Sequence, residues 1–322
     1  MKLYKFKSIR TRFAYWILLF ALVPLLIALT ITYFQRVNGI EEKALDKLSA
    51  IRDLKVQQVE NWLNNRLGDV QVMAGDFEIK ALENTFDKKV KSAEDIEKIE
   101  IAKELINRNL RNYPDYEEIF VIDSNSGIIE LSTNEQQIGK NKSIDTYFTV
   151  PIETGQIFIK DIYYSDITHQ PEMTISLPIY CLEHNTHVIG ILVARINLDN
   201  SLYKLLLNRT GLGETGETVI VNSDAIALNE FRWHENAPLK LKLNAVCAIK
   251  AANGETGTCS SKDYRNEDVL ATYTFITKTG WGFVCKQDKN ELNAPIRKMT
   301  LSFILIFGLI AIIVLFISLF IS

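Results

Sequence analysis

Two uncharged apolar runs, one at each end of the chain, constrain everything between them. Phe13 to Phe34 (FAYWILLFALVPLLIALTITYF) is a run of roughly 22 residues without a charge, and Met299 to Ser322 is a second of similar length. About 20 apolar residues span the ~30 Å hydrocarbon layer as a helix. Each run is apolar on every face, unlike the one-sided pattern of a helix packed on a soluble core. Pro24 falls inside the first run, where a membrane helix tolerates it. A secretory signal has an apolar region of only ~7–15 residues, then a small-residue cleavage site. Here the run is longer and exits through Thr32, Tyr33, Phe34 and Gln35, so it reads as an uncleaved anchor. Tyr15, Trp16, Tyr33 and Phe34 stand near its ends, where interfacial aromatics are expected.

The N-terminal tail carries Lys2, Lys5, Lys7, Arg10 and Arg12 and no acid. The positive-inside rule keeps residues 1–12 in the cytoplasm, with transmembrane helices over 13–34 and 299–322. The loop from about Gln35 to Lys298 is then outside the cytoplasm, with Arg297 and Lys298 pulling weakly the other way. A net charge of −3 gives no field that would draw nucleic acid. All four cysteines, Cys181, Cys247, Cys259 and Cys285, lie in the exported loop, where disulfides are permitted. Cys247 and Cys259 are closest in sequence and flank a Gly-rich turn. A bridge and a pair of buried, reduced thiols both remain open for them.

The loop begins with a proline-free spine over 35–77. Leu48, Ile51, Lys55, Val59, Trp62, Arg66, Val70, Met73 and Phe77 recur at alternating steps of three and four, the spacing of one helical stripe. A second helix is predicted from Glu94 to Asn112. Then comes a hairpin, Glu117–Asp123 and Ile128–Ser132 around Ser124-Asn125-Ser126-Gly127. A short helix at Asp145–Thr154 and three strand-like runs follow, at Phe158–Ser165, Glu172–Cys181 and Val188–Asn197. The same order then repeats. Glu217–Asn222 and Ile226–Glu230 form a hairpin, Leu239–Ala252 is helical, and Gly257–Tyr264, Asp268–Thr277 and Trp281–Asp288 are strands. The predicted fold is α+β: a long N-terminal spine helix carrying two antiparallel-sheet modules, over 78–200 and 201–298, flanked by the two membrane helices. Leu198–Asn208 would join the modules.

These pieces resemble the double Cache (tandem PAS-like) extracytoplasmic sensor domains of bacterial transmembrane receptors. The likeness covers nearly the whole loop. It is carried by IRDLKVQQVENWLNNRLGDV on the spine, YEEIFVIDSNSG at the first hairpin, and DTYF, DIYYSDITHQPEMTISLPIY and IGILVARINL in the first module. In the second module GLGETGETVIVNSD, NGETGTCSSKDYRNEDVLATYTFI and GWGFVCKQDKNELNAPI carry it. The resemblance implies PAS-like modules, with a ligand held in the membrane-distal one and the proximal one nearer the bilayer. It implies a homodimer through the spine helices, which the apolar stripe would suit. It also implies a cytoplasmic kinase, cyclase or chemotaxis output beyond the second span, so the chain reads as the input half of such a receptor. The expected setting is the bacterial inner membrane, crossed twice.

Amino-acid-binding members of the family resemble one another in an Arg-x-Trp-Tyr run, a Tyr-x-Asp, and an aspartate on the last distal strand. Here Tyr147-Phe148 matches the aromatic pair, and Tyr164-x-Asp166 the middle element. Asp145 stands where the arginine is expected and Arg195 where the last aspartate is, so the two charges are exchanged. The resemblance therefore implies Asp145, Tyr147, Phe148, Tyr164, Asp166 and Arg195 as ligand-binding residues, with Tyr163 beside them, for a small polar metabolite: an amino acid, organic acid or amine.

Each residue also has a plain structural reading. Arg195 is the one charge in an apolar strand; pointing inward it must meet an anion, pointing outward it is merely solvated. Asp145 and Asp166 suit helix caps and turns, and the aromatics suit a core. Gly211-Leu-Gly213-Glu-Thr-Gly216 follows a helix and opens a strand, the reverse of a dinucleotide site. Cys181-x-x-His184-x-x-His187 lacks an evident fourth ligand, so no metal and no cofactor is expected. No catalytic motif presents itself, and an enzyme is not expected in these residues. The rival to a sensor is a membrane-anchored interaction subunit with a degenerate pocket.

Overall fold

The computed structural model describes residues 9–83, 85, 86, 88, 90–182 and 187–321. Lys2, Lys5 and Lys7, which set the expected orientation, and His184 lie outside the described residues.

Anchor and spine are one uninterrupted helix, α1, Ile9–Gly75, whose 67 residues run about 100 Å at ~1.5 Å each. Pro24 does not break it. Asp76 does end it, turning extended and capping the short α2, Phe77–Lys80, by accepting from the Glu78 amide. Phe77, the last member of the stripe, is thereby thrown out of line and stands 67% exposed.

The rest of the stripe is consumed within the chain. Leu48, Val59 and Val70 are fully buried and Trp62 and Met73 nearly so, in one core with residues of both sheets. This corrects the expectation that the stripe serves a second copy, because its apolar surface is already covered. Burying each such side chain stabilises by about 1.5–3 kcal/mol, which holds the sheets to the spine. The two charged members anchor it. Lys55 Nζ donates to the Leu205 carbonyl at 2.6 Å, and Arg66 pairs with Asp69 and Asp115 while lying over the Tyr116 ring.

The first module opens with α3, Ala93–Asn112, started by a reciprocal Ser92/Asp95 capping box. Then come β1 (Tyr116–Asp123), β2 (Ile129–Ser132), α4 (Thr146–Thr154), β3 (Phe158–Tyr164), β4 (Pro171–Tyr180) and β5 (Val188–Asn197). They form an antiparallel sheet of order β2-β1-β5-β4-β3. Strand alternation splits its two faces. Ile119, Val121, Met173, Ile175, Leu192 and Ala194 join the core on α1, whereas Phe120, Ile122, Ile191 and Val193 pack with Tyr147 and Phe148 of α4.

A short α5, Leu202–Leu207, leads through the glycine run of 211–216 into the second module. That run opens β6, Glu217–Val221, as its position after a helix implied. α6 (Val246–Ala252), β7 (Gly257–Lys262), β8 (Asp268–Ile276) and β9 (Trp281–Asp288) follow, with sheet order β6-β9-β8-β7. This repeats β1-β5-β4-β3 strand for strand. β9 runs through α7, Lys289–Leu292, into α8, Ala294–Ile321, which packs beside α1. Both end helices are long and apolar enough to cross a membrane, by length and composition.

Two expectations are corrected here. Within 226–230 only Ile226 and Ala227 make isolated bridges, not a full strand, and 239–245 is a turn followed by a non-helical segment that bridges at Lys242. Leu239 adopts φ 61° just after Pro238, which no helix permits, and Ala227 and Leu243 amides bond across to Leu241 and Ala225 carbonyls. Cys247 of α6 and Cys259 of β7 are disulfide-bonded, with Cα atoms 6.0 Å apart, while Cys181 and Cys285 are buried and take part in no disulfide among the described residues.

Candidate ligand site

The α4-facing side of the first sheet carries a row of polar residues across four strands. Lys160 on β3 lies opposite Thr174 on β4, Thr174 opposite Arg195 on β5, and Arg195 opposite Glu118 on β1. Phe120, Ile122, Ile191 and Val193 continue the same face, so the row interrupts an apolar wall. Arg195 points inward and is 3% exposed. Its Nη1 donates to Glu118 Oε2 at 2.6 Å, and its guanidinium carbon sits 5.1 Å from the Phe120 ring centre. Glu118 also accepts from Ser132 Oγ at 2.8 Å.

This pair does not use up the arginine. Among the described residues, Arg195 Nε and Ser176 Oγ are buried without a hydrogen-bond partner. A buried donor left unpaired costs about 1–3 kcal/mol, so each is a place where an external acceptor would be gained.

The row is ringed by further polar groups. Tyr163 shares a hydrogen bond with Thr174 Oγ1 at 2.8 Å and reaches Glu172 at 3.4 Å. Glu172 accepts from Thr168 at 2.5 Å. Lys160 Nζ stands 4.0 Å from the Tyr163 ring centre and 5.5 Å from that of Tyr147. Tyr147 in turn donates to Asp145 at 3.0 Å, and Lys142 lies 3.5 Å from the same carboxylate.

Burial dominates the electrostatics. It pushes the Glu118 carboxyl above the usual range, and the neighbouring Arg195 charge only partly opposes it. Burial and then Asp145 raise the Tyr147 phenol, with Arg195 pulling the other way. Burial raises the Tyr163 phenol too, against the Thr174 hydrogen bond.

Four of the six expected residues come together here. Arg195 is at the centre, Asp145 and Tyr147 lie at the α4 end, and Phe148 is buried in the adjoining wall. The other two are placed elsewhere. Asp166 is exposed in the β3–β4 turn. Tyr164 is 46% exposed and has Lys240, from the second module, over its ring at 5.6 Å. The cause is a bulge. The register of β3 slips between Lys160 and Tyr163, so the extra residue moves Tyr163 onto the polar face and Tyr164 off it. Glu118, Glu172, Thr174 and Lys160 are additions to the expected set.

The sequence profile of the Cache domain matches residues 37–296. The chain belongs to the double Cache family. Solved Cache relatives share its fold. The ligand-binding domain of the Campylobacter jejuni chemoreceptor Tlp3, in complex with L-norvaline, superposes with TM-score 0.61 at 16% identity, covering 80% of this chain and 96% of that one. The ligand-binding domain of Mlp24 with asparagine gives 0.52 at 12% identity, covering 82% and 99%. That of the Pseudomonas aeruginosa PAO1 amino acid chemoreceptor PctC, in complex with GABA, gives 0.52 at 13%, covering 76% and 100%. No curated protein sequence matches the chain. In this Cache chain the polar row therefore sits in the module farther along α1 from the two apolar helices, between a sheet and the helix that roofs it.

Proposed function

We propose that the chain is the input half of a two-pass inner-membrane receptor, and that the first sheet binds a small zwitterion or amine beneath α4. The observation that carries this reading is the buried polar row with Arg195 Nε and Ser176 Oγ left unpartnered inside an apolar wall. The surrounding charges are mixed: Arg195 and Lys160 against Glu118, Glu172 and Asp145. Such a set suits a ligand carrying both signs. The ligand's carboxylate would accept from Arg195 and Ser176, and its ammonium would face Glu172 and Asp145. The exchange of Asp145 and Arg195 relative to amino-acid-binding members then reverses the ligand's direction in the pocket. Amino-acid ligands in the solved relatives support the class. Occupancy would be passed to a cytoplasmic output through α1 and α8, in a homodimer that meets through a face of α1 other than the buried stripe.

The test is thermal unfolding of the full chain in lipid nanodiscs against amino acids, organic acids, amines and purines. A ligand at ~100 times its dissociation constant adds ~2.7 kcal/mol, and ~2–4 °C per kcal/mol gives a rise of roughly 5–10 °C. The rise should vanish in Ser176→Ala and Arg195→Ala. A second reading rests on the Glu118–Arg195 pair, which already supplies the arginine with one internal anion. If nothing in the panel shifts the midpoint, the row is a structural relic and the chain an interaction subunit.

A further inference from the structure

The bulge that brings Tyr163 onto the ligand face also aims a side chain the other way. Between Lys160, opposite Thr174, and Tyr163, opposite Glu172, β3 holds two residues where β4 holds one. Ile162 is buried in the core on α1. Asp161 reaches out of the first module altogether: its Oδ1 accepts the indole N–H of Trp281 at 2.8 Å. The same oxygen accepts the amide of Ile162, its neighbour in the bulge, at 2.7 Å. One carboxylate oxygen thus ties the bulge backbone to a residue of the second sheet.

Trp281 is fully buried and begins β9. β9 is an inner strand, held between β6 and β8, and it continues through α7 into the apolar helix α8. β3, by contrast, is an edge strand with a ladder on one side. It can shift by breaking contact with one neighbour, whereas β9 can respond only together with its sheet and the helix that follows.

We propose that the Asp161–Trp281 hydrogen bond is the link that carries the state of the ligand site to β9 and α8. The proposal rests on the reading of the Lys160–Arg195 row as that site. Lys160 and Tyr163 flank the bulge directly and belong to the row, so any group that draws on them moves the backbone whose amide Asp161 holds. The alternative route, through α1, touches both sheets and reaches β3 at Ile162, on the face opposite the row.

The experiment needs no ligand, so its failure is separate from failure to find one. Amide hydrogen exchange is followed in the full chain in nanodiscs, with Lys160→Met as the perturbation of the row. In the native background, exchange in the 281–292 segment should change about fivefold or more, the lower end of couplings between sites. In an Asp161→Ala or Trp281→Phe background the same Lys160→Met change should still alter β3 and β4 but leave 281–292 as it was. Asp161→Asn keeps an acceptor oxygen and should restore the response, which a merely misfolded junction would not. An equal response of 281–292 with and without Asp161, or none in the native background, overturns the proposal.

Discussion

The two modules carry the same charged pair at the same place and use it differently. Glu217 on β6 lies opposite Lys286 on β9 as Glu118 lies opposite Arg195. Further along each row the residues diverge. Thr174 is answered by Ala271, and Lys160 by Cys259, which is bonded to Cys247 of the roof helix. The second pair is also closed by its own hairpin: Asp263 joins Glu217 on Lys286, and Arg265 bridges Asp263 to Asp288. The side chains on that face leave no donor like Arg195 Nε unpaired among the described residues. The first row is a polar network that leaves Arg195 Nε and Ser176 Oγ without a hydrogen-bond partner. The second has internal carboxylates on its cation and a covalent staple over them. The lesson is that a repeated fold with a repeated ion pair does not make a repeated site; the unpaired atoms distinguish the two.

The largest effect should come from breaking the closed network. Lys286→Met takes the cation from buried Glu217 and leaves Asp263 to Arg265 alone, and should cost about 3–5 kcal/mol, seen as a drop of roughly 10 °C or more in the unfolding midpoint. Arg195→Met, which takes the cation from Glu118 alone, should cost less while abolishing any ligand-induced rise. If the two variants lose equal stability, the distinction between a closed and an open network fails.

Next in size is the staple. Cys247→Ala with Cys259→Ala should cost about 2–3 kcal/mol for a loop of this length. Exchange in α6 should rise, with ligand response at the first sheet unchanged. A changed ligand response would show that the two roofs are not independent. A smaller effect, about 1 kcal/mol, is expected for Thr174→Ala, which removes the 2.8 Å partner of the Tyr163 hydroxyl. Ala271, at the matching place in the second sheet, should accept Ser with no change in ligand response.

The subtlest contrast lies in pH. Burial raises the Glu118 carboxyl, so its contribution to stability is present below the free carboxyl value near ~4.3 and is lost as pH rises through its folded value. For Asp263 burial also pushes upward, but the Lys286 and Arg265 contacts outweigh it and hold the carboxyl low. Its contribution is present above ~3.9 and is lost as pH falls. Acidification from neutral to about pH 3 should therefore protect β5 amides and expose those of β9, with Glu118→Gln and Asp263→Asn flattening each trend. Movement of both strands in one direction would remove the contrast. Glu291 adds to the acid sensitivity of the second module. Despite partial burial, its bonds to Thr215 and the Glu214 amide hold it at about 2, so the loop before β6 should loosen from α7 as pH falls toward that value.

Much of this architecture was legible because punctuation and period agreed. Tyr113-Pro114 stopped α3, Asn125-Ser126-Gly127 turned the first hairpin, and β4, β5, β8 and β9 fell within a residue or so of their expected bounds. The 239–245 stretch was misread although Leu239-Lys-Leu-Lys-Leu243 alternates with a strand's period of two, because it runs without a break into the true helix at Val246. In the site, Arg195 stood out as the lone charge of its strand. Its partner Glu118 did not, since nothing local to either residue reports a pairing made across the sheet. Tyr163 and Tyr164 are adjacent and chemically alike. Only the bulge decides between them, and a bulge is set by the ladder rather than by the strand's own residues.

The sheet order has a consequence for how the site comes into being. β1 and β5 are the first and last strands of the module, and the Glu118–Arg195 pair joins residues 77 apart. At about 5–20 residues per second of synthesis, Arg195 arrives roughly 4–15 s after Glu118. Until then β1 has no β5 to pair with and its carboxylate has no cation. The proposed site is therefore completed by a closing contact of its module, and a chain interrupted before β5 would carry the row's carboxylates and Lys160 without Arg195.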